Sequence, residues 1–238
     1  MKVTLFIPCF VDQLFPSVGI SVVRIFEKLG HKVDFKEGIF CCGQPAFNAG
    51  YWEETRGIAT RVLRALAGED PVVVPSGSCA AMVKNFYPEL FRETPQAESA
   101  VQLSQRVFEF SSFLVDQLGV TDLGSRFPAK VTFHDGCHGL RELNIKRQPR
   151  QLLERVKDLT LVEMEDQTSC CGFGGTFAVK FPMISTAMGE TKSSSALETR
   201  AEYLVSNDSS CLMHLQGLLS RQNQKLKTIH LAEVLASS

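Results

Sequence analysis

The triplet Cys41-Cys42-Gly43 recurs 129 residues later in the chain as Cys170-Cys171-Gly172. Two further cysteines flank each triplet, so the eight cysteines form two sets of four with similar spacing: Cys9, Cys41, Cys42 and Cys79, then Cys137, Cys170, Cys171 and Cys211. Two adjacent pairs, each followed by glycine, are not expected by chance among 8 cysteines in 238 residues. Such a doubled pattern indicates an internal duplication. We therefore predict two copies of one structural unit.

The patterns typical of strands and helices repeat in the same order in both halves. Short apolar or β-branched runs, such as Val72-Val73-Val74, alternate with amphipathic helical patterns. This alternation predicts an α/β fold of two pseudo-symmetric repeats, each a mostly parallel sheet flanked by helices. We place the first repeat at residues 1–100, a connecting helix and linker at 101–127, and the second repeat at 128–238. The apolar residues of 104–118 recur at helical spacing and predict one continuous helix there.

Composition and charge exclude several classes of protein. Hydrophobic residues make up 44% of the chain and charged residues 21%, as in ordinary globular domains. The formal net charge of −1 gives no electrostatic basis for binding nucleic acid. No apolar run reaches the 18 residues expected of a membrane span, and the apolar run at the N-terminus is too short for a signal peptide. We expect a cytoplasmic protein with reduced thiols.

In a reducing compartment, this cysteine pattern favours metal binding over disulfide formation. The first and last cysteine of each set follow predicted strands, and ligands of α/β sheets usually bind at the carboxyl ends of the strands. Gly43 and Gly172 let the backbone turn sharply, so that adjacent thiols can face one point. Each repeat is therefore predicted to offer four thiolates, which suit an iron–sulfur cluster or a tetrahedral zinc ion. Inert buried cysteines are the competing explanation, but packing does not require a doubled triplet.

Other polar residues lie near the cysteines in sequence. His134, Asp135 and His138 flank Cys137 and are candidates to hydrogen-bond to cluster sulfur or to relay protons. A histidine satisfied by backbone at the end of a buried strand explains His134 equally well.

Two further positions differ between the repeats. Ser76 and Asp208 each precede the last cysteine of a set by three residues, and could supply an oxygen ligand or leave an open coordination position. Lys180 and Lys192 flank a Ser-rich predicted helix and are expected to be solvated.

The doubled pattern resembles the CCG cysteine-rich domain family, which includes a component of heterodisulfide reductase, the iron–sulfur component of glycolate oxidase and lactate utilization proteins. The segments most similar to the lactate utilization branch (protein A) are HDGCHGLR (134–141), CCGFGGTF (170–177) and CLMH (211–214). The resemblance covers essentially the whole chain. It implies an iron–sulfur electron-transfer subunit, with one 4Fe-4S cluster per repeat, in an oxidoreductase complex that oxidises a 2-hydroxy acid such as L-lactate to pyruvate.

The resemblance also implies two partners, a ferredoxin-like iron–sulfur protein and a third subunit. The family's fuller motif ends in Cys-x-x-Cys, and Ser76 and Asp208 replace the first cysteine of that pair here. Binding by five thiolates is therefore not expected, whereas four suffice for an ordinary 4Fe-4S cluster. No flavin or dinucleotide fingerprint supplies a hydride acceptor, so full activity would require the partners.

Two other functions stay open at this point. One is a zinc-stabilised binding or scaffold module without redox activity, with zinc in one or both repeats, as in some CCG domains. The other is thiol–disulfide catalysis at an adjacent cysteine pair, which is disfavoured because a disulfide between neighbours strains the peptide.

Overall fold

The computed structural model describes residues 1–38 and 41–237. Within these residues, two four-stranded sheets form the frame of the fold. Residues 39, 40 and 238, which belong to the two predicted repeats, lie outside the described part. The strands are β1 (Lys2–Leu5), β2 (Lys32–Phe35), β3 (Val72–Val74), β4 (Val107–Glu109), β5 (Lys130–His134), β6 (Thr160–Leu161), β7 (Tyr203–Ser206) and β8 (Lys227–His230). The sheet orders are β2-β1-β3-β4 and β6-β5-β7-β8, and every pair is parallel. The predicted α/β fold with two repeats is confirmed.

Helices connect and cover these strands. Those of the first half are α1 (Cys9–Leu14), α2 (Pro16–Lys28), α3 (Gln44–Asn48), α4 (Trp52–Ala65), α5 (Gly77–Ala81), α6 (Tyr87–Leu90), α7 (Ala97–Arg106) and α8 (Phe110–Ser112), with π-helical turns at Met82–Phe86 and Phe113–Gln117. Those of the second half are α9 (Cys137–Leu143), α10 (Arg147–Leu153), α11 (Thr176–Lys180), α12 (Pro182–Glu198), α13 (Ser209–Arg221) and α14 (Leu231–Leu235). None of the helices in the described ranges combines the length and the apolar character that crossing a bilayer requires.

The central strands β1 and β5 both direct alternate side chains into one hydrophobic cluster, as expected for one face of a strand. Val3 and Leu5 of β1 share one buried cluster with Val131 and Phe133 of β5. Phe6, which follows β1 on the opposite face, packs in a second cluster within the first half. Because one cluster contains the inward faces of both sheets, the two repeats are joined by a common core.

The prediction of one continuous helix over 104–118 is wrong, because strand β4 interrupts it. Val107 and Phe108 pair with Val72 and Val73 of β3, and helix α7 ends at Arg106. The Glu109 carboxylate then accepts a hydrogen bond from the backbone N–H of Ser112 at 3.0 Å and begins a new helix. The β-branched and aromatic residues complete the sheet ladder, which outweighs their helical spacing. The first sheet therefore takes its fourth strand from the segment 101–127.

The two halves approach most closely where α5 faces α9. A Cβ atom placed on Gly77 would lie 2.9 Å from the Cα atom of Gly139 and 3.2 Å from its backbone nitrogen. Real Cβ atoms do not approach backbone so closely, so this contact requires glycine at position 77.

We expect Gly77→Ala to lower the free energy of unfolding by about 1–3 kcal/mol, because backbone must move to accommodate the added methyl group. The matched control is Gly57→Ala in α4, where an added Cβ meets nothing within 4 Å. That variant should gain about 0.5–1 kcal/mol from helix propensity. Urea denaturation measures both, and equal midpoints for the two variants would contradict the close contact.

Candidate metal centre

One cleft between the two sheets is lined by all eight cysteines. Cys9 begins α1 directly after β1, and Cys137 begins α9 directly after β5. Cys79 lies in α5 after β3, and Cys211 lies in α13 after β7. The cleft is partly open to solvent. The strand-end placement expected for the cysteines is thus present in both repeats, and the two sets share one opening.

The first cysteine set is tightly packed. The Sγ atoms of Cys42 and Cys79 are 3.3 Å apart, and the backbone N–H of Gly43 donates to the Sγ atom of Cys41 at 3.3 Å. Gly43 has a φ of +83°, a conformation that other L residues rarely adopt, and a Cβ there would lie 3.1 Å from Cγ2 of Thr55. The glycine therefore allows the turn that brings both adjacent thiols to one site.

The second set repeats this geometry. The Sγ atoms of Cys171 and Cys211 are 3.1 Å apart, and the backbone N–H of Gly172 donates to the Sγ atom of Cys170 at 3.4 Å. Gly172 has a φ of +89°, and a Cβ there would lie 2.5 Å from the carbonyl oxygen of Ser185. The two Cys-Cys-Gly triplets thus form equivalent turns.

Each set stabilises one thiolate. The pKa of Cys41 is lowered to about 3 because the thiols of Cys42 and Cys9 donate to its sulfur. The pKa of Cys170 is lowered to about 2, first by the thiol of Cys137 and then by that of Cys171. Conversely, donation to Cys41 and to Cys79, together with burial, raises the pKa of Cys42. The remaining thiols give up their protons when a cation binds, so metal binding here is coupled to proton release.

The donor set fits a thiophilic metal centre. All eight cysteines are free thiols, although buried sulfur atoms in each set lie within hydrogen-bonding distance of one another. Soft thiolates select zinc and iron–sulfur clusters over hard cations such as magnesium. The second half also brings a ring nitrogen of His134 and the Sγ atoms of Cys171 and Cys211 within 4.8 Å of one another.

The predicted flanking residues have different surroundings. His138 lines the cleft beside Cys137. His134 is fully buried at the end of β5, and burial lowers its pKa to about 3. Asp135 is buried too, but both of its oxygens accept hydrogen bonds from Arg150, at 2.8 and 2.9 Å. Asp135 is therefore held in an ion pair with Arg150, and it does not line the cleft.

Ser76 and Asp208 bind each other across the two repeats. Ser76 donates from its Oγ atom to Oδ1 of Asp208 at 2.7 Å. Asp208 also accepts two hydrogen bonds from Ser78, one from its Oγ atom at 2.7 Å and one from the backbone N–H of Ser78 at 3.0 Å. Ser76 itself accepts from the backbone N–H of Cys79 at 3.2 Å. Positions 76 and 208 thus anchor the start of α5, which carries Cys79.

Lys192 is a residue whose burial the sequence did not predict. It was expected to be solvated, and it is fully buried within α12, whereas Lys180 is exposed. Its ammonium donates to the carbonyl oxygen of Asp166, and burial lowers its pKa. The sequence signal was weak because the Ser-rich helix has no clear apolar face, so nothing marked which of its sides is buried.

Comparison with known proteins agrees with this geometry. The model of the CCG cysteine-rich domain matches residues 3–84 and 131–216, and each match contains one complete cysteine set. The chain is 45% identical over 236 residues to lactate utilization protein A of Oceanobacillus iheyensis, covering 99% of this chain and 96% of that protein. It is 44% identical over 237 residues to lactate utilization protein A 2 of Bacillus cereus, covering 99% and 98%.

Among solved structures, a hypothetical protein from Helicobacter pylori has a similar fold. It superposes with a TM-score of 0.62 at 13% sequence identity, covering 98% of this chain. The present chain spans 48% of that longer protein, and the likeness concerns the fold alone.

Asp208→Ala should destabilise the protein by about 2–3 kcal/mol, because it leaves the buried hydroxyl of Ser76 and the half-buried donors of Ser78 without their charged acceptor. The control is Asp122→Ala, since Asp122 is exposed and accepts one bond, from the backbone N–H of Gly124. Loss of this hydrogen bond should change the free energy of unfolding by less than about 1 kcal/mol. Chemical denaturation of the metal-free proteins provides the comparison, and a neutral Asp208 variant would refute the anchoring role.

Proposed function

The chain belongs to the CCG family of cysteine-rich domain proteins, and from this premise we propose that it is an iron–sulfur electron-transfer subunit of an oxidoreductase complex that oxidises L-lactate to pyruvate. The observation that carries the proposal is the convergence of eight free thiols, in two sets of four, on one cleft. Relatives of 44–45% identity over nearly the whole chain are named for lactate utilization.

The arrangement of the thiols supports electron transfer. Four thiolates per repeat supply the four terminal ligands of one 4Fe-4S cluster, and both sets open to the same cleft. Cys42 and Cys171 are buried, while Cys41 and Cys170 are half-buried toward the opening. Such a centre is shielded by the protein on one side and reachable by a redox partner on the other.

The need for partner proteins follows from the chemistry of the substrate. Oxidation of a 2-hydroxy acid to a 2-oxo acid releases two electrons and two protons, and an acceptor must take the hydride equivalent. This sequence carries no flavin or dinucleotide fingerprint. We therefore assign substrate oxidation to the complete complex and electron transfer to this chain. The partners that the family resemblance implies are a ferredoxin-like iron–sulfur protein and a third subunit.

A zinc-stabilised scaffold is the second candidate, and the surroundings of the first set favour it. Phe6 packs in the same apolar cluster as Cys42 and Cys79, so two of the four sulfur donors of this set lie in an apolar setting. Sites with four thiolate ligands are typical of structural zinc. One zinc per repeat would then hold the turns at Gly43 and Gly172.

Metal analysis separates these two functions. Anaerobic reconstitution with iron and sulfide should give brown protein with about eight iron atoms per chain, four for each cluster. Cys171→Ser should lose about half of the iron, since one set would remain intact, and Cys42→Ser is the matched variant of the other set. About two zinc ions per chain with no iron would instead support the scaffold.

The need for partners is tested with L-lactate under anaerobic conditions. The visible absorbance of the reconstituted chain should not bleach when lactate is added to it alone, because the chain supplies no hydride acceptor. Bleaching should occur once the co-purified partner proteins are present, and should weaken when Cys171→Ser replaces the native chain. Bleaching of the isolated chain would overturn the division of labour.

A further inference from the structure

The two cysteine sets differ in what lies beneath them. Phe6 directly follows β1 and packs with Cys42 and Cys79 in a hydrophobic cluster. The corresponding place in the second half, 128 residues later, is occupied by His134 at the end of β5. The internal duplication therefore places an imidazole where the first repeat has a phenyl ring.

His134 is buried without a hydrogen-bond partner for its ring. Its exposed fraction is 0%, and neither Nδ1 nor Nε2 has a partner among the described residues. Its carbonyl oxygen accepts from the Oγ atom of Ser206 at 2.9 Å, which fixes the end of β5. Burying an unpaired polar group is unfavourable, and buried polar atoms in native proteins nearly all have partners. The ring of His134 therefore calls for a partner that the protein chain does not provide.

The nearest groups that could share such a partner are thiols. A ring nitrogen of His134 and the Sγ atoms of Cys171 and Cys211 lie within 4.8 Å of one another. A metal bound between three such atoms satisfies the imidazole nitrogen and both sulfurs at once, since metal–nitrogen and metal–sulfur bonds are about 2.0–2.3 Å long. Lys192, the other buried base nearby, already donates its ammonium to Asp166.

We propose that His134 is a direct nitrogen ligand of the metal centre in the second repeat, beside Cys171 and Cys211. The assignment rests on the proposed metal-binding function. It makes the second centre a mixed cysteine–histidine site, in which the imidazole takes the place of one of the four thiolates of the set, whereas the first centre, with Phe6 at the equivalent place, has thiolate ligands only. Replacing a thiolate by a neutral imidazole raises the reduction potential of an iron–sulfur centre. With iron–sulfur clusters bound in both repeats, the second centre would accept electrons from the first.

The test is pulsed electron paramagnetic resonance of the anaerobically reconstituted full chain. One of the two reduced centres should show strong hyperfine coupling to nitrogen, and selective labelling with ¹⁵N-histidine should change that coupling. His134→Phe, which copies Phe6, should abolish it and bring the reduction potentials of the two centres closer together. The control is His138→Phe, which copies Phe10 of the first half and should leave the coupling in place.

The outcomes distinguish this assignment from the function on which it rests. A chain that binds neither iron nor zinc overturns both. A metal-loaded chain without histidine-nitrogen coupling, or with coupling that survives in His134→Phe, overturns the ligand assignment alone. The isotope measurement uses the native protein, so it stands even if the His134 variant fails to fold. If the second centre holds zinc, cobalt substitution provides the paramagnetic ion for the same measurement.

Discussion

The parallel direction of the strands is the constraint on which the rest of this structure depends. Parallel strands all end at the same edge of their sheet, and four cysteines follow β1, β3, β5 and β7 at that edge, while the two adjacent pairs follow β2 and β6. The inward faces of β1 and β5 share one hydrophobic core, which holds the two edges around a common cleft. Eight thiols that are far apart in sequence are thereby collected in one place.

The pseudo-symmetry is broken where the repeats touch. Positions 76 and 208 are equivalent by sequence, and a symmetric pair of serines or aspartates there would offer two donors or two negative charges to each other. The pairing of Ser76 with Asp208 instead gives one donor and one acceptor. The Asp208 carboxylate also accepts a hydrogen bond from the first turn of α5. Divergence at this pair therefore stabilises the interface between the repeats and fixes the helix that carries Cys79.

The two repeats also differ in the polarity of the side chains around their cysteine sets. The first cysteine set lies over Phe6, whereas the second lies over His134, with a buried Lys192 in the adjoining helix. A buried cation favours negative charge on nearby thiolates, and an imidazole offers a further donor, so the second set has the more polar surroundings. The two copies of the unit thus surround their cysteine sets with chemically different side chains.

The sequence alone determined the duplication, the parallel α/β fold and the eight cysteines as one doubled motif, because each depends on spacing along the chain. It misassigned 107–109, since Val107 and Phe108 fit a helix locally and a sheet only when β3 is beside them. It could not place both sets in one cleft, bond Ser76 to Asp208 or bury Lys192. These features depend on contacts between residues distant in sequence, which only the packing of the two repeats brings together.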